Sequence, residues 1–212
     1  SHFFPERVSS IDEMAQTVFS RVKSYAGMSK WPVELVSPQH MPANQTLPLF
    51  AFEGGLRGDD IWYSMEPQHP ILLSFNPNQI NQPQDLVASL ANGLALVMLH
   101  HVGKKPPIDI EMPVLADILA NVMGFGVMLS NTAYHFRGSC GSCYNAYANR
   151  QAALNEDECL FIHALMSKMT AGNDGSSHLK SHLKSVFKKA KKQVNSMLEN
   201  SADPALLAMC NS

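Results

Sequence analysis

Residues 83–101 read PQDLVASLANGLALVMLHH, and the fold turns on them. Pro83 and Asp85 suit a helix start, and the residues after them are apolar on nearly every side, interrupted by Ser89 and Asn92. A helix of that kind is stable only when other elements surround it. The stretch is therefore predicted to be a central helix. Its most apolar part, residues 86–99, is about 14 residues long, short of the roughly 20 that cross a bilayer, so no membrane span is expected.

Toward the C-terminus, residues 103–110 read as a linker, and Pro113 opens a second apolar helix over residues 114–134 that contains Gly124 and Gly126. Residues 137–153 are rich in small polar side chains and are predicted to be a loop. Asn155 with Glu158 is a capping-box pattern that starts a helix to about residue 169. After a break at 171–176, Leu179, Leu183, Val186, Phe187, Ala190, Val194, Met197 and Leu198 form one helical stripe. Lys180, Lys184, Lys188, Lys189, Lys191 and Lys192 fall largely off it.

Toward the N-terminus, residues 31–78 mix prolines and glycines with four β-prone runs, 33–36, 47–52, 61–64 and 71–75, predicted to form a small antiparallel sheet. Ahead of them, Ser10 and Glu13 sit at capping-box spacing, and Ile11, Met14, Ala15, Val18, Phe19, Val22 and Tyr25 recur at helical intervals over residues 9–26. The expected fold class is α+β, mostly helical. It is read as a single domain over residues 1–212, with an N-terminal helix (1–28), a small sheet (31–80), a helical core (83–170) and a basic amphipathic helix (176–200).

Composition narrows the function classes. The chain has 212 residues, 45% hydrophobic and 16% charged, which excludes a disordered, highly charged protein. Its formal net charge of -2 gives no overall field for a nucleic acid. SHFFPERVSS lacks the basic-then-apolar order of a signal peptide, and four cysteines form no dense framework, so a cytoplasmic setting is the expectation. There is no G-x-S-x-G elbow, and EGGLRGDD lacks the context of a phosphate loop.

Within the central helix, SLANGLALVML resembles the AHELAHxLL helix of a zincin-like (HExxH) bacterial metallopeptidase family of uncharacterised function. The phrase before it, ILLSFNPNQINQPQDLVA, is family-like too. VLADILANVMGFGVMLSN is similar to that family's TDLLxVFxGxGIFxAN helix, LNEDECLFIHALM to its LSExExxxALALF helix, and HLKSHLKSVFKKAKKQV to its closing basic helix. The resemblance covers about residues 72–194. It implies a zincin-like fold in which two histidines four residues apart bind zinc and the glutamate between them takes a proton from the metal-bound water.

At the matching positions this chain has Asn92, Gly93 and Leu96, and none of the three can do the family's chemistry. Asp117, at the third-ligand position, is retained. Three different losses fit natural degeneration better than a designed knockout. The expectation is a metal cavity collapsed into helix packing around Gly93, Leu96 and Gly124.

The remaining candidates are few. His100 and His101 project about 100° apart and cannot act as an i, i+4 pair; beside a helix C-terminus they are favoured by the dipole. Cys140, Cys143, Cys159 and His163 read C-x2-C-x15-C-x3-H, the spacing of a structural zinc site; Cys140 and Cys143 alone would make a disulfide or redox pair. The lysines of the last helix suit a solvated face, and phosphate binding is the sharper alternative.

These readings lead to a non-catalytic zincin-like pseudo-metallopeptidase acting as a binding or structural module. No catalytic cofactor is expected, structural zinc remains open, and the unnamed partner is a protein rather than a nucleic acid. The alternative is a metal-dependent hydrolase with a relocated site built from Asp117, His100 or His101, and His135.

Overall fold

Ser10 adopts an extended backbone and its hydroxyl accepts the N–H of Glu13, which starts helix α1 (Ile11–Tyr25) where the sequence pattern placed it. The structure is a computed structural model and describes residues 10–44, 52–53, 55–58, 61–63, 68–102, 110–133, 147–170 and 174–201. In chain order come β1 (Val33–Val36), β2 (Phe52–Glu53), β3 (Trp62–Tyr63), β4 (Ile71–Ser74), α2 (Pro83–Val102), α3 (Met112–Ala120), α4 (Gly126–Thr132), α5 (Glu156–Met169) and α6 (Ser181–Glu199). The architecture is α+β and mostly helical.

The expected single antiparallel sheet is corrected. β1 pairs with β4 in parallel, Val33 opposite Ile71 through Val36 opposite Ser74, while the short β2 and β3 form a separate antiparallel pair. Parallel pairing needs a crossover of a dozen residues or more, and the long stretch between β1 and β4 supplies it. Val33, Leu35 and Ile71 are buried, and they join α1 and α2 in one core that includes Phe19, Trp31, Leu90 and Leu94. A second cluster holds α5 to α6 through Leu160, Ala164, Leu183, Phe187, Val194 and Leu198.

The predicted helix over 114–134 is interrupted. Asn121–Phe125 winds as a π turn, and Gly124 inside it has φ of 102°, a conformation an L side chain rarely adopts. The turn frees backbone carbonyls, and one arginine collects them. Arg57 donates from Nη1 to the Val122 carbonyl (3.4 Å), from Nη2 to that of Met123 (3.3 Å) and from Nε to that of Ala26 (2.7 Å), tying the end of α1 to the turn.

The span Met112–Thr132 is long and apolar enough, by length and composition, to cross a membrane, so arithmetic confined to residues 86–99 missed the longest apolar helix. Core helices pass the same criterion. Here the span packs against α2 and α5 and encloses Asp117.

The expected close packing at Gly93 and Gly124 is also corrected, while Leu96 does pack against the main core. A Cβ built on Gly93 would meet the Leu73 methyls of β4 at 3.5 and 3.7 Å, an ordinary contact, and one built on Gly124 would meet nothing within 4 Å. The close approach is at Gly126. A Cβ there would lie 2.2 Å from Nδ1 and 2.7 Å from Cγ of His163, and 2.9 Å from Oδ1 of Asn121. Gly93→Ala is therefore expected to stabilise the protein by about 0.5–1 kcal/mol, the helix-interior cost of glycine. Gly126→Ala is expected to destabilise it by about 1–3 kcal/mol through overpacking. Denaturant unfolding of the two variants would check the opposite signs.

Candidate functional site

Asp117 lies within α3 with no exposed surface, so its carboxylate has lost water and must be satisfied by the protein. It is satisfied four times over. Oδ1 accepts from Nη1 of Arg150 at 2.6 Å and from Nδ2 of Asn92 at 2.9 Å. Oδ2 accepts the backbone N–H of Ala153 at 2.9 Å and of Leu154 at 3.1 Å. A carboxylate offers about four acceptor positions, and these donors fill them.

Arg150 is itself only 5% exposed. Its Nε donates to the Thr132 hydroxyl at 3.2 Å, and that hydroxyl donates onward to the Met128 carbonyl at 2.8 Å. Its backbone N–H donates to Oδ1 of Asp85 at 2.7 Å, and Nδ2 of the preceding Asn149 donates to Oε1 of Gln82 at 2.8 Å. Nη2 of Arg150 has no hydrogen-bond partner among the described residues.

The segment 147–155 is thus pinned at successive points. Nδ2 of Asn76 donates to the Tyr147 carbonyl, Asp85 and Asp117 take the N–H groups of Arg150, Ala153 and Leu154, and the predicted capping box of Asn155 and Glu158 forms in full.

Of the residues singled out in the sequence, Asn92 and Asp117 are brought together, with Asn92 acting as a donor. Leu96, half-buried, joins the main core, and Gly93 faces β4. This set does not fit a zinc ion. Leu96 has no lone pair, Asn92 turns its amide nitrogen inward, and the acceptor positions of Asp117 are taken by a guanidinium, an amide and two peptide N–H groups. The relocated site on Asp117 meets the same obstacle. His100 is exposed, while His101 donates from Nδ1 to the Val97 carbonyl and meets the Trp31 ring edge-on at 5.6 Å. His135 lies outside the described residues.

Cys140 and Cys143 also lie outside the described residues. Cys159 is fully buried near the Leu154 carbonyl, and burial pushes its thiol up to about 12. His163 donates from Nε2 to the Asp174 carbonyl at 2.8 Å and stacks on Phe187 with centroids 4.9 Å apart. Among the described residues no three His, Cys, Asp or Glu side chains group as a metal site. A separate apolar groove of about 590 Å³ lies between α1, the start of α2 and the π turn, lined by Val22, Tyr25, Val87, Met123 and Met128.

Reading the sequence missed Arg150 and Thr132, and took Asp85 only as a helix-start residue. The available signal was Asp117, an acid set inside an apolar helix, where it needs donors from elsewhere.

Arg150→Met leaves a buried carboxylate without its cation and is expected to cost about 3–5 kcal/mol, whereas Asp117→Asn with Arg150→Met is expected to lose less than the sum of the two single changes. Chemical denaturation of the three variants gives the coupling. His163 yields a pH dependence. Burial lowers its pKa in the folded chain below the ordinary 6.5, opposed by Asp174, so the unfolded chain takes up the proton first as pH falls. Its contribution is complete above pH 6.5 and shrinks below it. Asp174 is held well below the usual carboxylate range by Lys191 and by Ser176, and its contribution is lost only at more acid pH. The melting temperature is expected to fall between about pH 7 and pH 5, and His163→Gln to flatten that slope. No family model, curated protein or solved structure matches this chain.

Proposed function

We propose that the chain is a non-catalytic, zincin-like module in which a guanidinium has taken over the charge-balancing role of a metal ion. The observation that carries this reading is the Asn92–Asp117–Arg150 constellation. Asn92 and Asp117 occupy the first- and third-ligand positions of the resembled family and lie in hydrogen-bond contact, and the cation between α3 and the following loop is Arg150. A +1 charge fixed by hydrogen bonds neutralises Asp117 but offers no Lewis acidity and activates no water. With Gly93 where the family has its glutamate, that position supplies no general base either. Such a module acts through its surface, and the scaffold is retained because its helices and strands, not an ion, bury its apolar area.

Rebuilding the site tests the reading. Asn92→His and Leu96→His place two imidazoles four residues apart on α2, and Arg150→Ala releases Asp117. The triple variant is expected to bind about one zinc per chain and to melt at a higher temperature with zinc than without. The same two histidines with Arg150 retained are expected to bind at least about tenfold more weakly, because the guanidinium repels the ion and occupies Asp117. A triple variant that folds by circular dichroism but takes up no more zinc than the parent would sink the scaffold assignment.

A further inference from the structure

The apolar stripe of α6 is consumed by the core: Leu183, Phe187, Ala190, Val194 and Leu198 are buried, which turns Lys184, Lys188, Lys189, Lys191 and Lys192 outward, all exposed. Lys184, Lys188 and Lys192 succeed one another at four-residue steps, a rise of about 6 Å each, with Lys191 beside them. Together with Asn195 they line a groove of about 510 Å³ against the turn at Asp174 and Ser176.

Within the groove, Lys191 is paired with Asp174 at 2.7 Å and Lys184 donates to the Ser177 carbonyl at 3.0 Å. Lys188, Lys189 and Lys192 have no ion-pair partner among the described residues. The near-neutral total hides a separation of charge. Residues 180–199 carry six lysines against one glutamate, a net +5, and the rest of the chain carries ten Lys and Arg against seventeen Asp and Glu, a net -7.

We propose that this face of α6 binds the phosphate backbone of duplex nucleic acid without reading its sequence. The ladder is one of ammonium point charges, which suits a row of phosphates as a sequence-independent electrostatic partner. A single strand would call for a stacking platform; Phe187, the only Phe, Tyr or Trp in α6, borders the groove but is 2% exposed and already stacked on His163, so its face is not open to a base. A lipid surface would call for apolar side chains to insert, and those of α6 point largely into the core. The acidic remainder of the chain confines a polyanion to this one face and sets its orientation.

The test is fluorescence anisotropy of a labelled 20-base-pair DNA duplex titrated with the full chain at several NaCl concentrations. Four lysines that each neutralise one phosphate give a slope of log K against log salt of about -3.6, so affinity falls about 150-fold between 50 and 200 mM. Lys184→Glu, Lys188→Glu and Lys192→Glu together, all on the exposed face, are expected to weaken binding at least tenfold at 50 mM and to flatten the slope. Arg21→Glu, exposed on α1, is expected to leave both unchanged. No binding at 50 mM salt with about 1 mM protein would overturn the proposal, as would full binding by the triple variant. A polyglutamate peptide or phosphatidylserine vesicles bound more tightly than the duplex at equal salt would overturn it in favour of an acidic protein or a membrane.

Discussion

The buried ion pair between Asp117 and Arg150 is the constraint on which the helical core rests. Withdrawing each charge from water costs several kcal/mol, and the mutual attraction offsets this only if the remaining hydrogen-bonding positions are filled. Filling them recruits the surroundings. Asn92 brings in α2, Thr132 brings in α4, and the N–H groups of Ala153 and Leu154 fix the chain as it enters α5. A well-packed apolar pair of the same volume would hold these elements with less electrostatic cost. The pair therefore argues less for extra stability than for a unique arrangement, since helices with such uniform apolar faces have many ways to slide past one another.

A second arginine plays a complementary part. At the π turn the helical ladder is broken and its carbonyls must be satisfied by something other than the helix. Arg57 reaches the carbonyls of Val122 and Met123 and also that of Ala26, so the irregularity in the middle helix is coupled to the end of α1. The two glycines of the turn have distinct reasons to be there. Gly124 supplies a positive φ, while Gly126 leaves the space into which the imidazole of His163 fits. That imidazole in turn stacks on Phe187, which carries the coupling on to α6.

Much of the helical framework was legible in the sequence, because helix faces and caps are local. The Ser10 cap, the capping box at Asn155 and Glu158, and the stripe of α6 all arise from residues within a few positions of each other. Strand pairing was not, because the parallel partnership of Val33–Val36 with Ile71–Ser74 joins segments separated by a long crossover and leaves no local pattern. At the site, Asn92 and Asp117 stood out by resemblance, but Arg150 sits in a loop and has no periodicity to announce it. Gly93 misled in a similar way. Glycine signals close approach or mere tolerance with the same letter, and at residue 93 the neighbour is a leucine side chain at ordinary distance.

The position of Arg150 in the chain also bears on how the protein is made. It emerges from the ribosome 33 residues after Asp117, a lag of roughly 2–7 s at ordinary synthesis rates. Through that interval the nascent helices present an acid with no counter-charge, and docking them would bury that charge unpaired. Vectorial synthesis thus gives the fold a checkpoint: a chain truncated before residue 150 has most of its greasy surface made and nothing to lock it, which is the state that holdase chaperones recognise.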